Sequence, residues 1–283
     1  MQLRVMTEAD ISAGMRLKEI AGWNQTEHDW KRFLRASPTG CFVAECDGTV
    51  CGTSTTIIYE NRFAWIGMVL VDPEYRSHGV GTQLLQRAIQ HLDERRVSTL
   101  KLDATPLGRP IYEKLGFVSE YEVERWILKR HAPAKITEAA RFESVPANVL
   151  QTVLTKDIGV FGANRGLLLK DLHIRAQQFT ILVVEGGELK GYGFGRQGSF
   201  ADHLGPWYAL HAGAAQHILE TFLARSHRDT VIVDCLKASP FASRLLRSAG
   251  FTYSRPLTRM FRGRNDQPGQ FQNLCAILGP EFG

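Results

Sequence analysis

The sequence predicts an α/β chain carrying two tandem copies of one fold, each a mixed, mostly antiparallel sheet flanked by helices. Three observations predict it. Strand and helix signals alternate, with hairpins on either side of a strand–helix–strand crossover, which favours a sheet of mixed direction. Landmarks recur at nearly equal spacing: Gly79 and Gly213 are 134 residues apart, Gly116 and Gly250 again 134, Asp103 and Asp234 131. The chain has 283 residues, 44% of them hydrophobic and 22% charged, which suits two domains of roughly 100–200 residues each.

Each element has its own signal. "LRVMT" reads as a short strand. Apolar residues recur at helical spacing from Glu8 to Ile20, and Trp30 to Leu34 is a second helical piece. In "GCFVAECDGTVCGTSTTIIY" two β-rich runs flank Asp47-Gly48, a strong hairpin turn. "RFAWIGMVLV" is a strand, and the "PEYRSHGVGTQLLQRAIQHL" that follows is a glycine loop opening a helix. The apolar stripe of that helix is Leu84, Leu85, Ala88, Ile89 and Leu92. "STLKLDA" is a strand, "GRPIYEKL" a short helix and "EYEVERWILKR" a closing strand. The second copy repeats the order in "FTILVVEGGELKGYGFG", "HLGPWYALHAGAAQHILETFLARS", "TVIVDCL" and "SRLLRSAGF", with Gly186-Gly187 as its hairpin turn. The expected domains are 1–130 and 138–264, joined by a linker at 131–137, with a tail at 265–283 that starts polar and ends apolar.

Bulk properties narrow the function. A net charge of +5 suits an anionic ligand, but no dense Lys/Arg block or basic, aromatic-interleaved face appears, so no nucleic-acid partner is expected. Neither a signal peptide nor an 18-residue apolar stretch is visible, so no membrane association is expected and a cytoplasmic location is. The five cysteines show no CxxC spacing, which argues against a disulfide framework and against a metal site. The oligomeric state has no sequence signal.

The loop "RSHGVG" raises the chemical question. Glycine lets the backbone approach a ligand closely and adopt positive φ. Exposed amides at a helix start, with the helix dipole behind them, make an anion site suited to a pyrophosphate, and Arg76 and His78 add donors. No Lys-Ser or Lys-Thr follows the second glycine, so this is not a P-loop. The dinucleotide fingerprint lacks its third glycine, with Leu84 in that place, and "DPEYR" intervenes after the strand. Any other nucleotide-like cofactor fits so far, and a plain structural turn is the alternative.

"LVDPEYRSHGVGTQLL" resembles the acetyl-CoA loop of the GCN5-related N-acetyltransferase (GNAT) superfamily, with Arg76, Gly79 and Gly81 in every fixed position. "IYEKLGF" resembles the same superfamily's closing motif, and the two copies resemble its tandem subgroup, in which the second copy is degenerate. The resemblance covers residues 1–130. It implies that Val69, Leu70 and Val71 pair with the pantetheine arm and that Ser77, His78, Gly79, Val80, Gly81 and Thr82 receive the pyrophosphate. Thr105 stands where many members place an asparagine that contacts the cofactor. Tyr112 would be the general acid that protonates the leaving sulfur of acetyl-CoA, the acetyl donor.

Acetyl transfer also needs a carbonyl-polarising group, for which backbone amides around Leu70 are expected. The strand "RFAWIGMVLV" carries no acid, and Asp103, Glu27, His28, Asp29 and Glu60 are the candidate bases beside a water chain. "AGWNQTEHDW" sets Trp23, Asn24 and Gln25 between two helical pieces as the expected acceptor contacts. In the second copy equal spacing puts Leu210, Gly213 and Ala215 in place of Arg76, Gly79 and Gly81, and Leu246 in place of Tyr112. The expected function is acetyl transfer to the primary amine of a small molecule or amino acid. Protein or peptide acetylation and a non-catalytic acyl-CoA sensor are the alternatives.

Overall fold

Asp47 (φ 51°) and Gly48 (φ 75°) are both left-handed, as are Gly186 (φ 58°) and Gly187 (φ 81°), so each hairpin reverses on a two-residue turn that matches the twist of its strands. The structure, a computed structural model, describes residues 1–130 and 145–283. The linker expected at 131–137 lies outside the described residues.

The first copy runs β1 (Gln2–Val5), α1 (Ile11–Ile20), α2 (Glu27–Ala36), β2 (Phe42–Cys46), β3 (Thr49–Tyr59), β4 (Phe63–Val71), α3 (Val80–Glu94), β5 (Thr99–Ala104), α4 (Arg109–Lys114) and β6 (Val118–Lys129). The second runs α5 (Ala147–Phe161), α6 (Gly166–Arg175), β7 (Ile181–Glu185), β8 (Glu188–Gln197), β9 (Asp202–Ala209), α7 (Ala212–Arg225), β10 (Thr230–Leu236), α8 (Ala242–Ser248) and β11 (Thr252–Gly263), and the tail adds β12 (Leu274–Ala276). Local chemistry sets several of these ends. Thr26 and Asp29 form a capping box at the start of α2. The helices α4 and α8 stop at matching glycines, Gly116 (φ 84°) and Gly250 (φ 85°). Behind each, the next amide turns back on the helix, Phe117 N to Tyr112 O at 3.1 Å and Phe251 N to Leu246 O at 3.0 Å. The helical repeat was thus real down to its caps.

The chain forms two compact units that are interleaved in sequence. Unit one holds Met1–Glu120, Met260–Asp266 and Phe282; unit two holds Tyr121–Arg259, Gln267–Glu281 and Gly283. In unit one the strand order is β1-β2-β3-β4-β5 followed by the last residues of β11. In unit two it is the start of β11, then β6-β10-β12-β9-β8-β7. The boundaries expected at 130 and 264 therefore differ from the packing at both final strands. β6 pairs with β10 over seven positions, from Thr230↔Lys129 to Leu236↔Val123, and this ladder carries residues 121–129 into unit two.

Within unit one, α3 lays its stripe of Val80, Leu84, Leu85, Ala88, Ile89 and Leu92 on Phe42, Ala64, Ile66, Leu100 and Leu102. Each fully buried leucine there contributes about 1.5–3 kcal/mol. Because side chains alternate along a strand, Phe63, Trp65, Lys101 and Asp103 lie on the opposite face. Phe33 of α2 is on that side too, stacked on Phe282 at 4.8 Å, while the Tyr59 hydroxyl donates to the Phe282 carbonyl at 2.9 Å.

Candidate active site

β4 is bulged where it matters. Thr55 faces Gly67 and Thr53 faces Leu70, so Met68 and Val69 together oppose Ser54. Met68 takes a left-handed φ of 51°, and its carbonyl accepts the Thr53 hydroxyl at 2.8 Å. A bulge of this kind re-aims backbone groups out of the ladder. On its other side β4 pairs with β5 only at Ala64↔Leu100 and Trp65↔Lys101. Past Trp65, among the described residues, β4 has no ladder partner on the β5 side, and a gap opens between the carboxyl ends of two parallel strands. Val69, Leu70 and Val71 form its β4 wall.

Eight residues, Asp72 to Gly79, link β4 to α3. Asp72 anchors the loop: its carboxylate pairs with Arg16 Nη1 at 2.5 Å and accepts the Glu74 amide at 3.3 Å. Arg76 is exposed and donates from Nε to the Val71 carbonyl at 3.2 Å, and His78 Nδ1 donates to the Arg76 carbonyl at 2.8 Å. Ser77 (φ 65°) and Gly79 (φ 80°) are both left-handed, a backbone pattern that turns successive amides toward one point. Gly79 is the N-cap of α3, and no side chain caps it. The amides of Val80, Gly81 and Thr82 precede the first intrahelical bond, made by Gln83 N to Gly79 O at 3.0 Å. A Cβ placed on Gly79 would meet nothing nearer than Gln83 Nε2 at 3.9 Å, whereas one on Gly81 would meet Val71 Cγ2 at 3.3 Å. The helix start is thus open above Gly79 and packed onto β4 at Gly81.

Tyr112 sits on α4, half-buried, edge-on to Phe117 at 6.2 Å. Burial pushes its phenol up to about 12, so it holds its proton throughout the neutral range. Thr105 stands at the start of α4. Its hydroxyl accepts the Gly108 amide at 3.2 Å and its carbonyl accepts Gly108 N and Arg109 N at 3.0 Å each, which starts α4 and aims Tyr112.

The acceptor candidates lie between α1 and α2. Gly22 (φ 66°) ends α1, with Trp23 N bonded to Lys18 O at 2.8 Å. Asn24 and Gln25 are buried, and Gln25 Oε1 has no hydrogen-bond partner; a buried carbonyl left so is costly unless a ligand meets it. Of the candidate bases, Asp29 is occupied by Thr26 N, Thr26 Oγ1 and Arg32 Nη1 at 2.8, 2.9 and 2.6 Å. Glu27 pairs with Lys31 at 2.6 Å and Glu60 lies 3.7 Å from Arg62. His28 is part-exposed on α2, and Asp103 is part-exposed at the end of β5. Two charged residues escaped the sequence reading. Lys101, at the root of the gap, pairs with Glu120 at 3.4 Å, both nearly fully buried. Glu120 also takes a 2.8 Å bond from Asn265 Nδ2, and no local signal joins positions 145 residues apart.

Unit two has lost these features. Only Leu210 and His211 separate β9 from α7, so the loop itself is missing. The match of Leu210, Gly213 and Ala215 to the first loop is corrected accordingly: the N-cap of α7 is His211, and Gly213 lies inside the helix. His211 Nδ1 accepts the Ala214 amide at 3.2 Å, filling the helix start with the protein's own side chain. The gap is filled as well. β9 and β10 pair in parallel from Val231↔Asp202 to Val233↔Leu204, and beyond that point β12 enters between them, Leu274↔Tyr208 and Ala276↔Trp207 on one side and Cys235↔Ala276 on the other. Leu246, fully buried, replaces the phenol. Asp234, the counterpart of Asp103, is a buried structural acid. Burial opposes its ionisation, but the charge and two 2.8 Å hydrogen bonds of Arg125 outweigh that and hold its carboxyl well below the usual range.

Residues 12–117 match the Acetyltransferase (GNAT) family and residues 153–276 an Acetyltransferase (GNAT) domain. The chain is 25% identical to holothin acyltransferase of a Pseudoalteromonas species, over 92% of this chain and 87% of that one. It is 26% identical to the uncharacterised N-acetyltransferase YitH of Bacillus subtilis, over 82% and 81%. A solved acetyltransferase structure from Pyrococcus horikoshii superposes with a TM-score of 0.79 at 23% identity, covering 100% of this chain and 95% of its own. That structure is similar in fold.

Proposed function

The chain belongs to the GNAT acetyltransferase family as a tandem of two such domains and is an N-acetyltransferase, and we propose that it acetylates a small-molecule amine from acetyl-CoA. The observation that carries the reading is the pairing, in unit one alone, of an uncapped helix start with an open β4–β5 gap. The amides from Ser77 to Thr82, with Arg76 and His78 beside them, hold the pyrophosphate. Val69, Leu70 and Val71 hold the pantetheine arm in strand fashion, and the bulge at Met68–Leu70 turns amides toward the thioester oxygen. Preorganised donors of that kind contribute roughly 3–4 kcal/mol each to catalysis.

The acceptor amine attacks the thioester carbonyl as a neutral group. Tyr112 donates its proton to the sulfur as the carbon–sulfur bond breaks, and the acceptor nitrogen gives up a proton to a base on the Lys101–Asp103 face of the sheet. Trp23, Asn24 and Gln25 contact the acceptor, Gln25 offering its unmet carbonyl to an N–H or O–H. A small acceptor is favoured because the Pseudoalteromonas relative, matched along both halves, is named for holothin rather than for a protein. Release of free thiol from acetyl-CoA against a panel of amines, amino acids, polyamines and lysine peptides tests the reading. Turnover on a small amine, lowered about 100-fold in Tyr112→Phe with acetyl-CoA binding intact, is expected. Turnover on peptides alone would overturn the small-molecule acceptor, and an unaffected Tyr112→Phe would overturn the acid.

A further inference from the structure

Behind the loop stands a pair of thiols that acetyl transfer does not use. Cys46 ends β2 and Cys51 lies on β3, and their sulfurs are 2.9 Å apart. Carbon atoms in contact settle at about 3.5–4.0 Å, so these two larger sulfurs, which share a thiol hydrogen bond, are held inside ordinary contact. A disulfide needs a separation of about 2.05 Å, a further approach of about 0.9 Å. The hairpin enforces the proximity. Ladder positions Ala44↔Gly52 and Glu45↔Val50 leave Cys51 as the extra residue of a bulge, five residues along the chain from its partner across the tight Asp47-Gly48 turn.

The same bulge carries the start of the loop. The Cys51 carbonyl accepts the Asp72 amide at 2.9 Å. The Val50 carbonyl accepts Arg16 Nη2 at 2.8 Å, and that arginine's other nitrogen holds the Asp72 carboxylate. Two ties that hold Asp72 to the rest of the unit, one direct and one through Arg16, therefore run to Val50–Cys51. We propose that Cys46 and Cys51 are a peroxide-oxidisable thiol pair whose disulfide loosens the loop that begins at Asp72, and so weakens the acetyl-CoA binding assigned above, on which this last step rests.

The chemistry balances with a peroxide as oxidant. The Cys46 thiolate, on the more accessible residue, attacks a peroxide oxygen and becomes a sulfenic acid with loss of water. Cys51 then attacks that sulfur, its proton leaving with the displaced hydroxyl as a second water. Two thiols and one hydrogen peroxide give one disulfide and two waters, and an external dithiol reverses the change. Cys51 is fully buried and its thiol is pushed up to about 12, first by burial, which makes it the resolving partner rather than the first to react. Cys41, Cys235 and Cys275 are fully buried as well, which shields them from a peroxide in solution.

Stepwise hydrogen peroxide on the full-length chain, followed by differential alkylation and peptide mapping, tests the pair. The expected result is a Cys46–Cys51 disulfide that forms before any change at the other three cysteines, reverses with dithiothreitol and is abolished in Cys46→Ser. Hydrogen exchange at the Asp72 amide is expected to quicken about fivefold on oxidation, and the acetyl-CoA Kd to rise about fivefold. Over-oxidation of Cys46 without a link to Cys51, or a disulfide that leaves Asp72 exchange unchanged, overturns the proposal. A reduced chain that binds no acetyl-CoA would instead count against the proposed function, since the peptide map and the exchange rate judge the thiols independently.

Discussion

A Cβ on Gly108 would lie 2.9 Å from Tyr112 Cε2 and 3.2 Å from its hydroxyl, so the phenol owes its position to a neighbour without a side chain. Gly108→Ala is expected to swing Tyr112 aside and lower kcat about tenfold or more while acetyl-CoA affinity stays put; kcat beside a binding titration checks it. The proton on that phenol gives a second prediction. Its pKa is raised above the ordinary 10 to about 12 by burial, and an acid works only while protonated. Activity should therefore show no alkaline loss as pH rises through 10, and a kcat profile bending there would mean that the phenol titrates as an exposed one. At this scale the sequence was partly readable. Tyr112 and the glycines stand inside motifs, whereas the unmet Gln25 Oε1 and the Lys101–Glu120–Asn265 cluster depend on contacts that no short window contains.

Elements show the divergence of the two copies most plainly. A glycine at the N-cap leaves the start of α3 vacant, and a histidine at the same place occupies the start of α7. Gly79→Ala would put a side chain at φ 80°, a conformation that costs an ordinary residue about 1–2 kcal/mol, and is expected to weaken acetyl-CoA binding about tenfold. His211→Ala removes a cap worth about 0.5–2 kcal/mol and should lower the Tm without touching acetyl-CoA affinity. Thermal melts and binding titrations on both variants check the contrast. The hairpin turns and the glycines after α4 and α8 were legible because each is a local demand for positive φ. The Leu210–Gly213–Ala215 match was not, because spacing alone cannot tell a shortened loop from a shifted one. β12 escaped for a related reason: three apolar residues in a tail carry no period, and only the gap between β9 and β10 makes them a strand.

For the molecule as a whole, a single acetyl-CoA site per chain is expected. One unit keeps its loop and its gap, and the other has its gap taken by Leu274–Ala276 and its helix start by His211. Calorimetric titration should give one site, lost in Gly79→Trp; residual binding in that variant would place a second site in unit two. The fold class and the tandem copies were readable from periodicity and repeat spacing, since each copy obeys its own local rules. The interleaving was not, because β6 and β11 carry the same strand signal whichever sheet receives them. That interleaving sets an order of events during synthesis. The strand that finishes the sheet of unit one, the last residues of β11 beside β5, is translated after nearly all of unit two. The nascent first half therefore leaves the ribosome with a bare β5 edge, the kind of edge that recruits other chains. A gene cut at the linker would encode a fragment that holds Tyr112 and the glycine loop yet cannot complete its own sheet.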